Sequence, residues 1–354
     1  MDTSPNKKTT IGILAGYWST NIGNAFFQLG AEYVLRKAMP DANIFLIGDQ
    51  PGYFKVRGGT PTNALDYVGH LEIDAIVVLG PFLRPEFPEL LGNMLMRLKK
   101  KGTKIIVLAA GMMQYDDATI QLGRSILEEL RPEIFVTRDR ETFDAFNDLS
   151  PNAYDGVDIA TFVSDLFPPV PTDLPPYVVL NFDQIPEPAF KPGRHSGQQF
   201  EWRGNTWTVQ HSKMLKLARR SQAAGFLLPY LRGKSELQSM DEFQVLRTDH
   251  RYNPFLPSRT YRLGSTYAGD IPHTYLNLYA HSQTTFTNRV HACVATLSYG
   301  NSAMLFSKSP RSYLLNRLGA NNIKERPTTI DIGKLAEEKA KMTEWLGTVL
   351  SKPL

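Results

Sequence analysis

Apolar residues recur along this chain in two alternating modes. Short, near-continuous runs at Thr10–Ala15, Ala42–Ile47, Asp74–Leu79, Lys104–Ala110 and Ile134–Thr137 alternate with longer stretches of helical spacing at Ala25–Ala38, Phe87–Lys101, Thr119–Leu130 and Arg140–Leu149. Buried strands alternating with amphipathic helices predict a parallel, doubly wound sheet. In such a sheet ligands bind beyond the carboxyl ends of the strands. That edge would carry Tyr17–Asn24, Gly80–Leu83, Gly111–Met113 and Arg138–Arg140.

The run Phe-Pro-Pro-Val-Pro-Thr-Asp-Leu-Pro-Pro at Phe167–Pro176 is a stiff connector that can continue neither a helix nor a central strand. It divides the chain into a first domain over 1–168 and a second over 177–332, with 333–354 as a C-terminal helix whose core, Lys334–Leu350, packs back across the join. The second half repeats the alternation. Strands are expected at Tyr177–Phe182, Gly225–Tyr230, Gln244–Thr248, Thr284–Thr287 and Ala303–Phe306, and helices at Thr208–Ala224 and from His291; Pro186–Arg203 reads as a polar surface excursion. The architecture predicted is α/β, with two facing doubly wound, Rossmann-like domains and a cleft between them.

Composition narrows the function classes. At 354 residues, 42% hydrophobic and 21% charged, the chain can bury two sizeable cores and is far from the profile of a disordered segment. A net charge of +4, with only Lys99-Lys100-Lys101 as a basic run, argues against a nucleic-acid surface; that run reads as a helix C-terminal cap. The one cysteine, Cys293, reads as a buried small residue, and no Cys/His cluster has zinc spacing. With a polar start over Met1–Thr10 and no transmembrane-length apolar run, a soluble, cytoplasmic protein without a transmembrane segment is expected.

The most informative stretch is Thr287-Asn288-Arg289-Val290-His291-Ala292, where a strand gives way to a helix that Gly300 ends. Free N–H groups and the positive end of the helix dipole favour an anion there, and Arg289 adds a planar cationic fork for phosphate or carboxylate. Elsewhere, Arg138 is a candidate anion clamp, and His250 is placed on the same carboxyl-end rim as His291. Trp18 and Tyr17 could stack on a sugar ring or pack against the second domain. Asp158 and Asp165 read either as a carboxylate pair or as capping and interdomain groups; His70, His195 and His211 read as surface residues and His281 as structural.

Taken in order, these edge elements resemble the polysaccharide pyruvyl transferases over most of the chain. Asn21-Ile22-Gly23-Asn24 is similar to the family's Asn-x-Gly-Asp loop, Arg138-Asp139 to its Arg-Asp step, Asp158-Ile159-Ala160-Thr161-Phe162 to its Asp-x-Ala-Phe element, and Arg289-Val290-His291-Ala292 to its Arg-Leu-His-Ala signature. Arg311, ahead of Leu318-Gly319, stands where the family commonly has a lysine. Two departures fall on the acceptor side: Asn24 stands in place of an aspartate, and Gly80-Pro81-Phe82 in place of a glycine-rich turn.

The resemblance implies a glycosyltransferase-B-like fold and transfer of a pyruvyl group from phosphoenolpyruvate to two hydroxyls of a sugar, forming a pyruvate ketal in exopolysaccharide or other glycan biosynthesis. It implies His291 and Arg289 as catalytic groups and Arg138, Arg311, Asn21, Asn24, Gly80 and Asp158 among the substrate-binding residues, to which the reading of the residues themselves adds His250 and Trp18. Phosphoenolpyruvate would be the donor, and a sugar, nucleotide sugar or lipid-linked glycan the acceptor, with no redox cofactor and no obligatory metal. A nucleotide-sugar glycosyltransferase of the same architecture and a non-catalytic carbohydrate-binding protein remain the alternatives.

Overall fold

The computed structural model describes residues 8–18, 20–48, 63–183, 185–211, 237–251 and 264–352. The first half forms a parallel six-stranded sheet from β1 (Thr10–Leu14), β2 (Asn43–Ile47), β3 (Ala75–Leu79), β4 (Lys104–Ala110), β5 (Ile134–Thr137) and β6 (Ala153–Asp155), in the order β2-β1-β3-β4-β5-β6. The crossovers are α1 (Gly23–Ala38), α2 (Asn93–Lys100), α3 (Asp117–Leu130) and α4 (Arg140–Phe146), with α3 and α4 started by Asp116 and Asp139, whose carboxylates accept the N–H of Thr119 and Thr142. The helix expected from Phe87 opens as a π-helical turn, Pro88–Gly92, before α2. Strand β6 was not expected; its three half-buried residues carry no apolar run.

A 3-10 turn, Ile159–Phe162, and the single turn α5 (Val163–Leu166) close the first half. The second half contains β7 (Tyr177–Asn181), β8 (Ala189–Pro192), β9 (Gln198–Trp202), β10 (Asn205–Gln210), β11 (Ser239–Met240), β12 (Phe243–Thr248), β13 (Thr266–Tyr267), α6 (Pro272–His281), β14 (Thr284–Thr287), α7 (Val290–Ser298), β15 (Ser302–Leu305), α8 (Tyr313–Arg317) and α9 (Ile332–Leu350). Its main sheet runs β11-β12-β7-β14-β15, with β13 beside β12, and is parallel apart from β11. The chain is therefore α/β with two Rossmann-like domains.

One expectation fails in this half. Pro186–Arg203 is not a surface excursion, and Thr208–Gln210 is not helical: they belong to a three-stranded antiparallel sheet, β8-β10-β9. Phe190, Phe200, Trp202, Trp207 and Val209 point inward onto Phe182, Phe286 and Phe306, while Lys191, Gln199 and Glu201 face solvent. Alternation with period two selects strands. Arg203 and Gly204, both at positive φ, make the two-residue turn between β9 and β10. The expected strand at 225–230 and the rest of the expected helix, 212–224, lie outside the described residues.

An apolar cluster joins the two halves, running from Ile11, Ile13 and Val34 to Tyr279, Val294 and Leu305. Helix α1 lies at its centre. A Cβ on Gly30 would sit 2.1 Å from the carbonyl oxygen of Ile159, so only glycine lets α1 press onto the 159–162 turn. Helix α9 returns to the first sheet, where Trp345 stacks on Tyr154 at 4.7 Å and Gly347 faces Ala38. Each main sheet reverses direction next to its first strand, between β1 and β3 and between β7 and β14. Those two switch points carry the loops that build the site.

Candidate active site

At the second switch point the polar network starts inside the sheet. Asn181, ending β7, donates from Nδ2 to the Thr248 carbonyl (2.7 Å) and accepts from Thr287 Oγ1 (2.8 Å), which in turn accepts the N–H of Arg289 (2.8 Å). Arg289 is the residue before α7, and its side chain makes no capping hydrogen bond, so it leaves the first N–H groups of the helix to a ligand. The guanidinium is nearly buried and paired through Nε with Asp183, whose other oxygen accepts the N–H of His250 at 2.8 Å. Asp183 thus ties β7, β12 and α7 together. The sequence reading passed over it; the available signal was an acidic residue at the carboxyl end of the strand beside the switch point.

Behind α7, the carboxylate of Asp158 collects groups from three elements. It caps the 159–162 turn through the N–H of Ala160 (2.8 Å), accepts from Arg138 Nη1 (3.2 Å) and faces His291 Nε2 at 3.7 Å, beyond hydrogen-bond reach. Burial opposes its charge, yet His291, Arg138 and the Ala160 N–H together hold the carboxyl down at about 2. His291 is pushed the other way. Burial lowers its pKa, Asp158 opposes that shift, and Arg138 and Arg311 reinforce it, so the free protein holds a neutral imidazole. Burial, with Arg138 and Arg289 nearby, lowers the Arg311 guanidinium to about 10, which leaves it charged at neutral pH. Its loop is docked on α4: the Tyr313 ring packs at a tilt against Tyr115 at 5.2 Å, and Tyr115 donates to Asp139 at 2.9 Å.

The three guanidiniums and the neutral imidazole are incompletely satisfied. Arg138 Nε and Nη2, Arg289 Nη2, Arg311 Nε and His291 Nε2 are buried and have no hydrogen-bond partner among the described residues. Unpartnered buried guanidinium donors, converging from the end of β5, the start of α7 and the 309–312 turn, suit a multiply charged anion.

A cleft of about 950 Å³ opens in front of Arg289, His291 and Arg311, with Tyr17, Asn21, Asn24 and Phe27 from the first domain on the other side; Arg138 is buried and is not among its lining residues. Phe27 rests against the His291 ring at 5.1 Å, and its neighbour Phe26 meets His250 at 5.5 Å. Asn21 donates to Asn24 Oδ1 at 2.8 Å. Tyr17 holds a φ of 62° at the cleft edge. Gly80, at φ 70°, turns the chain beside Phe27, and its neighbours Leu79 and Pro81 line the cleft with Phe82.

Other candidates lie outside this group. Trp18 is anchored by its indole N–H to Gln28, which also holds Gly16. His250 is buried at the joint, bonded through Nε2 to Tyr279 at 2.6 Å, while its carbonyl accepts the N–H of Ile22 at 2.7 Å. Asp165 does not pair with Asp158; it pairs with Lys339. Arg140 is exposed and pairs with Asp144 and Asp155. Among the described residues no cluster of His, Cys, Asp and Glu could hold a metal ion, and no helix is long and apolar enough to cross a membrane.

Residues 21–307, which include Asn21, Asn24, Arg138, Asp158, Asp183, Arg289 and His291, match the polysaccharide pyruvyl transferase family. The chain belongs to that family. No curated protein matches it in sequence. Among solved structures, this pyruvyl transferase family member is similar to S. aureus MnaA in a co-structure with UDP (TM-score 0.51, 8% identity, 97% of this chain and 91% of that one). It is also similar to a UDP-N-acetylglucosamine 2-epimerase (TM-score 0.51, 10% identity, 96% and 90%). At these identities the likeness is one of fold, and the fold is glycosyltransferase-B-like.

Proposed function

We propose that this family member transfers the pyruvyl group of phosphoenolpyruvate to two hydroxyls of a sugar or glycan precursor, releasing phosphate. The observation that carries the reading is the set of buried, unpartnered guanidinium donors on Arg138, Arg289 and Arg311 beside the unpartnered Nε2 of His291. Phosphoenolpyruvate presents a carboxylate and a phosphate on one carbon, and guanidiniums fixed in different directions match that pair. Arg289 and the free N–H groups of α7 anchor one anionic group, and Arg138 and Arg311 the other.

His291 is neutral in the free protein and gains its proton when the donor brings negative charge beside it. It then protonates the methylene carbon, making C2 electrophilic. One acceptor hydroxyl adds to C2, the bond from C2 to the phosphate oxygen breaks, and the second hydroxyl closes the ketal. Of the two hydroxyl protons, one restores the imidazolium that supplied C3 and the other leaves with phosphate. Asn24 cannot take a proton, so hydroxyl activation also falls to His291.

Calorimetry with phosphoenolpyruvate, followed by phosphate-release assays with free sugars, UDP-sugars and lipid-linked glycans, tests the reading. The expected result is donor binding at or below millimolar concentration and acceptor-dependent phosphate release with a ketal product detected by mass. Absence of donor binding at millimolar concentration overturns it.

A further inference from the structure

The last helix reaches the active site without touching the cleft. Lys339 of α9 is only 7% exposed, and its Nζ lies 2.5 Å from Asp165 Oδ2, 3.3 Å from Ser164 Oγ and 3.4 Å from the carbonyl oxygen of Thr161. It also sits 5.5 Å from the ring centroid of Phe162. Every one of these partners belongs to the segment that begins at Asp158.

Thr161 passes the contact on. Its N–H (2.9 Å) and its hydroxyl (2.7 Å) both donate to the carbonyl of Asp158, while the Asp158 side chain accepts from Ala160. Two other elements box the turn: Gly30 of α1 presses on Ile159, and Tyr299, at the end of α7, donates to the carbonyl of Phe167 at 2.9 Å. What remains for this segment to set is the aim of Asp158 Oδ2 between Arg138 and His291.

A lysine is a poor choice at this position if packing is all that is required. Replacing a buried ion pair by an apolar side chain of similar volume is often neutral or stabilising. Asp165 is 39% exposed, so water would solvate it once its partner was gone. Methionine would serve a purely structural need as well.

We propose that Lys339 is a positioning residue of the active site: it fixes the 159–162 turn that aims Asp158 at Arg138 and His291. The proposal rests on the reading of His291 as the proton-transferring group of a pyruvyl transferase. Lys339→Met and Lys339→Arg in the full chain test it through melting temperature, kcat, KM for phosphoenolpyruvate, and the ring titration of His291 by NMR without substrate, assigned from its loss in His291→Gln.

Lys339→Met is expected to fold with a melting temperature near wild type and to keep KM within about twofold, while kcat falls by about tenfold or more as Asp158 loses its aim at His291. The His291 titration midpoint moves to lower pH as the Asp158 charge drifts from the ring, and Lys339→Arg restores most of kcat. Unchanged kcat together with a superimposable His291 titration in Lys339→Met overturns the proposal. If Lys339→Met does not fold, Asp165→Asn is expected to give the same His291 displacement in smaller measure, and no displacement there also overturns it. Absence of phosphoenolpyruvate turnover in the wild type would sink the pyruvyl-transfer reading alone, because the His291 titration reads the Lys339 effect without substrate.

Discussion

A methyl group on Gly111 would lie 2.3 Å from Nε of Arg138. The guanidinium therefore crosses the end of β4 where the chain has no side chain, and it cannot retreat, being held by Asp158 at 3.2 Å and almost fully buried. Gly111→Ala should displace the Arg138 guanidinium from its place beside Asp158. Overpacking of this kind costs about 1–3 kcal/mol of stability. Loss of a charge-assisted hydrogen bond to the donor should weaken phosphoenolpyruvate binding by about tenfold or more. Calorimetry beside a thermal melt checks both. Undiminished donor affinity would mean that Arg138 plays no part in holding the anion.

Stability should depend on pH through two buried histidines. Burial lowers both pKa values, with Arg289 and His291 adding to the effect at His250, and the unfolded chain would titrate near 6.5. A group depressed in the native state gives its full stabilisation above the unfolded pKa and loses it as pH falls. The melting temperature should thus be flat above about pH 6.5 and decline as the pH falls below it. Asp158, held at about 2, adds to the loss only in stronger acid. His250→Phe keeps the ring contacts with Phe26 and Tyr275 but removes one titration, so its decline should be shallower; an identical slope would assign the acid sensitivity elsewhere.

How far the sequence led depended on the range of the interaction. Strands β1, β3, β4 and β5 and their helices were legible because each is a continuous apolar run or a helical stripe, a property of neighbouring residues. The β8-β10-β9 sheet was not, because its inward aromatics are separated by exposed lysine, glutamine and glutamate, and the segment reads as polar on average. Arg289 and His291 could be placed at a helix start from local pattern alone. Asp183 and Lys339 could not, since each acts on groups brought to it only by tertiary folding. His250 illustrates the converse: its strand-end position was correctly inferred, but the side chain turns into the joint between α1 and α6.

Asp183 should behave as the electrostatic partner that the donor can replace in part. Removing one member of a buried ion pair costs about 3–5 kcal/mol, since the other charge is left uncompensated. Asp183→Ala should accordingly lower the melting temperature sharply, by stranding Arg289 and freeing the N–H of His250. Saturating phosphoenolpyruvate should recover more of the melting temperature in the variant than it adds to the wild type, because the ligand supplies the missing negative charge. Equal ligand-induced shifts in the two proteins would place the donor away from Arg289.

His291 and Arg289 are adjacent in function but should separate in kinetics. His291 touches Phe27 and faces Asp158, whereas the unpartnered nitrogen of Arg289 is a cation awaiting an anion. His291→Ala removes the proton-transferring group and should lower kcat by about 10²–10⁴-fold, the usual range for a lost general acid–base group, with donor affinity nearly kept. Arg289→Ala removes a charge-assisted contact of about 1.5–3 kcal/mol and should weaken donor binding by about ten- to a hundredfold. Calorimetry with phosphoenolpyruvate and single-turnover phosphate release separate the two effects. Normal turnover in His291→Ala would remove the imidazole from the chemistry, and normal donor affinity in Arg289→Ala would move the anion site off the start of α7.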